Sequence, residues 1–225
     1  MLEVIILAAG QGSRMQSSIP KVLHTLAGRP LVAHVLQTAR RLNADRIHVV
    51  VGYGAEAVQS AVAAADVQCH SQAEQLGTGH AVKQAISSCQ PKSTVLVLFG
   101  DVPLITEEAL RSVLAKAETG VAMLSATLPS PAGYGRVVRS AADEFVAVVE
   151  ERDATPEQRA LQEINTGVLA ANAQRLAGWL DRVGNHNAQA EYYLPDVLGL
   201  ASEDGMRVEV VCSDDDLDTQ GGNTP

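Results

Sequence analysis

Residues 3–8 are apolar at every position after Glu3, and the run stops at a glycine-containing turn, Gly10-Gln11-Gly12. A strand with one wet face alternates apolar and polar residues. One that is apolar throughout is covered on both faces, as in a parallel sheet flanked by helices. The following segments repeat this requirement. Pro30 is placed as the first residue of a helix carrying Leu31, Val32, Val35, Leu36, Ala39 and Leu42 at helical spacing, with Arg40 and Arg41 late in it. Strands are predicted at 46–51, 67–71, 93–99 and 121–128. Helices are predicted at 54–65, from a Thr78 cap to about Cys89, and after a Thr106 cap followed by Glu107 and Glu108. Alternating β and α segments predict an open, mostly parallel α/β sheet of the Rossmann-like type with helices on both faces.

The pattern changes after Pro129. Residues 133–150 read as a strand pair turning near Ala142, and Thr155-Pro156-Glu157-Gln158 as a capping box. A strand at 167–171, helices at 173–183 and 192–203 (Pro195 in the first turn of the latter) and a strand at 207–212 follow, then a polar, acidic tail at 213–225. The expected organisation is one domain over 1–225: a first half at 1–128, a smaller subregion at 129–212, and the tail.

With 225 residues, of which 46% are hydrophobic but only 3% aromatic, aliphatic residues and alanine must fill the core. A net charge of −9 argues against duplex nucleic acid and anionic membranes as partners. An anionic ligand would need a local cation, a helix N-terminus or a metal. Cys69, Cys89 and Cys212 are far apart and unpaired in motif, which speaks for reduced thiols in a cytoplasmic setting. The first residues lack a basic region and do not read as a signal peptide, and no apolar stretch is long enough to span a membrane.

Ligands of open α/β sheets sit beyond the C-terminal ends of the strands. There the chain carries Leu7-Ala8-Ala9-Gly10-Gln11-Gly12-Ser13-Arg14-Met15, followed by Pro20-Lys21. Glycines let successive N–H groups curl around an anion, and Arg14 and Lys21 can neutralise phosphates. Met15 stands where a dinucleotide-binding loop has its third glycine, and no P-loop run follows Gly10. Further strings are Gln72-Ala73-Glu74-Gln75-Leu76-Gly77-Thr78-Gly79-His80, Phe99-Gly100-Asp101-Val102-Pro103-Leu104, Gly133-Tyr134-Gly135-Arg136, Val149-Glu150-Glu151-Arg152-Asp153, Glu163-Ile164-Asn165-Thr166-Gly167 and Asn187-Ala188-Gln189-Ala190-Glu191-Tyr192-Tyr193.

In order, across nearly the whole chain, these strings resemble the nucleoside-diphosphate-sugar pyrophosphorylases. Among them they resemble the uridylyltransferase parts of the bifunctional bacterial members. The resemblance implies Mg2+-dependent transfer of UMP from UTP to N-acetylglucosamine 1-phosphate, giving UDP-N-acetylglucosamine and pyrophosphate for peptidoglycan and lipopolysaccharide precursors. It implies Arg14, Lys21 and Asp101 as catalytic groups. Leu7, Ala8, Ala9, Gly10, Lys21, Gln72, Gly77, Thr78, Phe99, Gly100 and Asp101 are implied at the nucleotide, with Gln72 on the uracil edge. Gly135, Glu150, Asn165 and Asn223 are implied at the sugar phosphate, Asp101 and Asn223 at the metal, and Tyr192-Tyr193 as a pocket wall.

Bifunctional members continue into a trimerising β-helix acetyltransferase domain, whose hexapeptide repeats are not in this sequence. The expectation is therefore a monomeric transferase without acetyltransferase activity, whose metal ligand Asn223 lies near a chain end. Thymidylyl or glucose 1-phosphate transfer on the same fold, and a non-catalytic nucleotide-sugar-binding domain, are the competing readings.

Overall fold

The computed structural model describes residues 1–12, 17 and 19–213. The first half runs β1 (Leu2–Ala8), a short 3-10 turn at Lys21–Leu23, a small hairpin of β2 (Thr25–Leu26) and β3 (Arg29–Pro30), α1 (Leu31–Arg41), β4 (Arg46–Val51) and α2 (Ala55–Val62). It continues through β5 (Val67–Ser71), α3 (Thr78–Ile86), β6 (Thr94–Phe99), α4 (Glu107–Ala117) and β7 (Gly120–Thr127). The second half adds β8 (Arg136–Arg139), β9 (Phe145–Val149), α5 (Pro156–Arg159), β10 (Glu163–Asn172), α6 (Ala173–Leu180), α7 (Asp196–Glu203) and β11 (Arg207–Cys212).

The main sheet has the order β11-β7-β10-β6-β1-β4-β5, with β8 and β9 branching from β10. β1 lies parallel between β6 and β4, and β10 runs antiparallel to both β6 and β7. Along that path the sheet is thus mostly parallel with one reversed strand, β10, which the second half threads into the first.

The apolar run of β1 is explained by what lies on each side. Val4, Ile6 and Ala8 enter a core shared with α1, α2 and α4, while Ile5, Leu7 and Ala9 enter one shared with α3, α6 and α7. Every one of these side chains is buried. Their transfer from water, at about 25 cal/mol per Å2 of apolar area, drives helices onto both faces.

Several helix starts differ from the sequence expectation. Pro30 pairs in β3 and caps α1 from outside rather than opening it, because its ψ of 143° is extended. Thr78 is the first residue of α3; the cap is Gly77, and the Thr78 hydroxyl instead accepts from the Leu194 amide at 3.0 Å. Tyr192 lies outside α7, which begins at Asp196 after Pro195. The Thr106 cap and the Thr155–Gln158 capping box form as expected, the latter through Thr155 N–H to Gln158 Oε1 at 2.9 Å and Gln158 N–H to Thr155 Oγ1 at 3.3 Å.

One polar cluster lies deep in the sheet. Glu3 and His48 are fully buried and hydrogen-bonded at 3.0 Å, and His48 Nδ1 meets His70 Nε2 at 3.0 Å. Burial alone raises the Glu3 carboxyl. The hydrogen bonds from His48, the Gln90 amide and Ser93 outweigh that and hold it below 4.5, its ordinary value. Cys89 completes the group, its thiol pushed up to about 12 chiefly by burial. The cluster links β1, β4, β5 and the turn after α3.

Candidate active site

The C-terminal ends of β1 and β6 open into two adjoining clefts. The first, of about 340 Å3, is lined by Leu7, Ala8, Ala9, Gly10 and Gly12 from the loop after β1, by Lys21 and Val22, by Gln72, Gln75, Gly77 and Thr78, and by Phe99, Asp101 and Glu191. The second, of about 240 Å3, is lined by Tyr134, Gly135, Glu150, Asn165, Thr166, Gly167, Leu194 and Pro195 among others. Thr78, Phe99 and Asp101 line both. A group bound in one cleft therefore meets a group bound in the other beside Asp101.

The loop after β1 is shaped by what the strand cannot continue through, a glycine turn with Gly12 at a φ of 64°. Lys21 then returns across it, and its ammonium lies 2.5 Å from Asp101 Oδ2, with both side chains about four-fifths buried. Asp101 follows directly after β6 and a backbone bond from Gly100 N–H to Leu7 O at 2.9 Å.

Gln72, 3% exposed, donates through Nε2 to Gly77 O at 3.1 Å and meets His80 Nδ1 at 3.0 Å. Its amide nitrogen is thus committed to holding the loop, which leaves Oε1 as an acceptor. Gly77 sits at φ 107°, ψ 174°, a region essentially reserved for glycine. A Cβ there would stand 2.6 Å from Tyr192 O. Around that contact Gly79 N–H donates to Tyr192 O and Tyr192 N–H to Leu76 O, each at 2.8 Å. Main-chain pairing therefore stitches the wall of the first cleft to the segment leading into the second.

On the second cleft's floor, Gly135 lets the Glu150 carboxylate come close: an added Cβ would lie 2.8 Å from Glu150 Oε1. Asn165 N–H donates to Gly135 O at 2.8 Å, and Asn165 Oδ1 accepts from Gly167 N–H at 2.9 Å, leaving its Nδ2 as a donor. Glu150 is held above the usual carboxylate range, first by burial and then by Asp196, Asp153 and Glu191, with Arg136 opposing them. Asp196 is raised likewise by burial and by Asp153.

Most of the residues expected at a site do converge. Gly100 does not line the clefts; it backs their wall, where a Cβ would press on Leu7 O at 3.2 Å. Tyr192 and Tyr193 line neither cleft, because the Tyr193 hydroxyl turns to Gln189 at 2.8 Å and Asp153 at 3.3 Å; Glu191, Leu194 and Pro195 stand there instead. Arg14 and Asn223 lie outside the described residues. Glu191 stands within the 187–193 string, but nothing in the local pattern tells which side chain of that string faces inward.

The sequence profile of the MobA-like NTP transferase domain matches residues 4–168, about three-quarters of the chain and every lining residue of the first cleft except Glu191. The chain belongs to this family.

Its curated relatives include the bifunctional protein GlmU of Burkholderia vietnamiensis, 51% identical over 224 residues, covering 99% of this chain and 49% of that protein. GlmU of Azotobacter vinelandii is 51% identical over 223 residues, with the same two coverages. GlmU of Cellvibrio japonicus is 49% identical over 211 residues, 93% of this chain and 47% of that protein. The chain spans about half the length of these relatives. Among solved structures, a putative glucose-1-phosphate thymidylyltransferase from Bacillus anthracis in complex with a sucrose superimposes with a TM-score of 0.80 at 15% identity, covering 100% of this chain and 91% of that one. This NTP transferase domain therefore shares the nucleotide-sugar transferase fold. Among the described residues, no helix is long and apolar enough to cross a membrane.

Proposed function

We propose that the chain transfers UMP from UTP to N-acetylglucosamine 1-phosphate, releasing pyrophosphate, and so supplies UDP-N-acetylglucosamine for peptidoglycan and lipopolysaccharide precursors. The observation that carries this reading is the meeting of the two clefts at Lys21 and Asp101. The first half would hold UTP, with Gln72 Oε1 accepting from the uracil imide and the Ala8-Ala9-Gly10 backbone along the nucleoside. The second half would hold the sugar phosphate through Glu150, Asn165 and the Gly135 main chain.

The chemistry explains the residue types. The attacking phosphate oxygen is already ionised near neutral pH, so no general base is required. The obstacles are repulsion between two polyanions and the charge that builds on the departing pyrophosphate. Lys21 at the junction opposes both, and Arg14 is the second cation assigned to that task. Positioning by the loop after β1 then makes the attack effectively intramolecular. Asp101 presents a partly exposed carboxylate where both clefts meet and already stands against a cation, which is a fitting oxygen donor for Mg2+; Asn223 would add a second. When bound, the ion supplies charge neutralisation across the reacting phosphates.

Pyrophosphate release by the purified chain tests the reading, with UTP, N-acetylglucosamine 1-phosphate and Mg2+, against a panel of other triphosphates and sugar 1-phosphates and with chelator. Release that requires both named substrates and the metal is the expected result. Preference for a thymidine triphosphate or for glucose 1-phosphate would overturn the substrate assignment, and binding without release would overturn the enzyme reading.

A further inference from the structure

A side-chain amide keeps its shape when its oxygen and nitrogen exchange places, but its two ends then offer opposite hydrogen bonds. A site that reads a flat ligand with such a group needs neighbours that fix which end points outward. For Gln72 these neighbours are Gly77 and His80. Gly77 O can only accept, so the end of the amide 3.1 Å from it is the NH2 group. The same nitrogen lies 3.0 Å from His80 Nδ1, which takes up its second hydrogen. Gln72 is 3% exposed, and a donor buried there without a partner would be costly. Oε1 makes no hydrogen bond among the described residues and is not one of their buried unpartnered atoms, so it is open to the cleft that Gln72 lines. His80 itself lines neither cleft. It is the third residue of α3, and its ring lies tilted by 34° against Tyr192 with centroids 6.3 Å apart. An imidazole that accepts at Nδ1 is neutral and carries its proton at Nε2. That nitrogen faces the Gln84 amide at 3.2 Å; the amide also reaches His80 O at 3.0 Å, and a half-turn presents its Oε1 to the ring proton.

We propose that His80 is a positioning residue for base selection: by accepting at Nδ1 it locks the Gln72 amide with Oε1 toward the nucleotide, so that the site favours a base donating at N3, as uracil does, over one accepting there, as cytosine does. This rests on the placement of the base beside Gln72 in the function proposed above. A Gln72 amide turned end for end would offer its NH2 group to the cleft and so suit cytosine N3. It would also set Oε1 against Gly77 O and the His80 Nδ1 lone pair, exchanging two hydrogen bonds for two contacts between acceptors. Without the imidazole only the Gly77 contact opposes that turn. His80 acts through Gln72 and does not touch the substrate.

The test measures dissociation constants for UTP and CTP with Mg2+ present, and kcat with UTP and N-acetylglucosamine 1-phosphate, for the wild-type chain, His80→Leu, His80→Met and His80→Asn. Leucine and methionine remove the acceptor while suiting a helix, and either serves should the other not fold. Asparagine sets Oδ1 near the place of Nδ1. Loss of one of the two bonds that hold the amide lowers the preference for UTP over CTP by about threefold to tenfold. His80→Asn restores the preference, and kcat at saturating UTP stays near wild type in all three variants. A merely structural role would weaken both nucleotides by one factor and leave their ratio alone. A ratio within about twofold of wild type in folded His80→Leu or His80→Met, or one that His80→Asn fails to restore, would overturn the inference. A wild-type chain without preference for UTP over CTP would instead overturn the base assignment of the proposed function, and this inference with it, so the two failures are distinct.

Discussion

Gly77→Ala is the substitution whose effect follows most directly from the backbone geometry. At φ 107° and ψ 174° an L-residue carries strain of about 1–3 kcal/mol. The new methyl would also stand 2.6 Å from Tyr192 O and 2.9 Å from Tyr192 N, both main-chain atoms that cannot swing aside as a side chain can. Relief requires the Tyr192 segment to retreat, which breaks the 2.8 Å bonds Gly79 N–Tyr192 O and Tyr192 N–Leu76 O. Each contributes about 0.5–1.5 kcal/mol net. The expected loss is therefore about 2–6 kcal/mol, a large share of the roughly 5–15 kcal/mol of a typical domain. For a chain of this size, about 3 kcal/mol corresponds to a fall in Tm of about 6–12 °C. Urea and thermal unfolding measure it, and KM for UTP should rise in parallel because the same contact sets the wall of the first cleft. A variant within about 1 kcal/mol of wild type, with unchanged KM, would show that the two segments are not held in register by this contact.

Asp101→Asn should lower turnover far more than nucleotide binding, since the charge acts mainly as the leaving group departs; equal losses in kcat and in UTP affinity would contradict that role. Stability should fall as the pH drops below about 4.5: Glu3 is depressed in the fold, so its contribution is complete above its ordinary value and is lost on titration through the folded one. Glu3→Gln should flatten that part of the acid-unfolding profile, and an unchanged profile would remove Glu3 from the account. His48→Ala should cost about 1–3 kcal/mol by taking one hydrogen-bond partner from the buried Glu3 carboxyl, read by urea unfolding at neutral pH; a loss under about 0.5 kcal/mol would mean the contact carries little. Replacing any single histidine in a chain that still folds should leave turnover, because the proposed chemistry abstracts no proton. A folded histidine variant without activity would refute that mechanism.

Much of this architecture was legible locally because short-range physics decides it. The unbroken apolar run of β1 demanded helices on both faces, and both cores are filled from its alternate residues. The caps at Thr106 and Thr155 follow from hydroxyls reaching amides three residues on. Leu7 to Gly10, Lys21, Gln72, Gly77, Thr78 and Asp101 were placed at strand ends by sequence and are gathered there by the sheet.

Other features depend on partners distant in the chain, which no local spacing encodes. The reversal of β10 and its insertion between β6 and β7 is one. Thr78 looked like a cap, yet its hydroxyl is claimed by the Leu194 amide from 116 residues away. The Tyr192-Tyr193 pair looked like a pocket wall until main-chain pairing with residues 76–79 turned it aside. Glu3, His48, His70 and Cys89 carry no motif, and only three parallel strands and a helix end bring them together. The sequence by itself determined which segments become strands and helices and where the glycine turn after β1 must lie, because those outcomes turn on neighbours a few residues apart. Only the tertiary structure decided which carboxylates share a field and which backbone atoms leave no room for a methyl group, because burial and Coulomb interaction depend on distance in space.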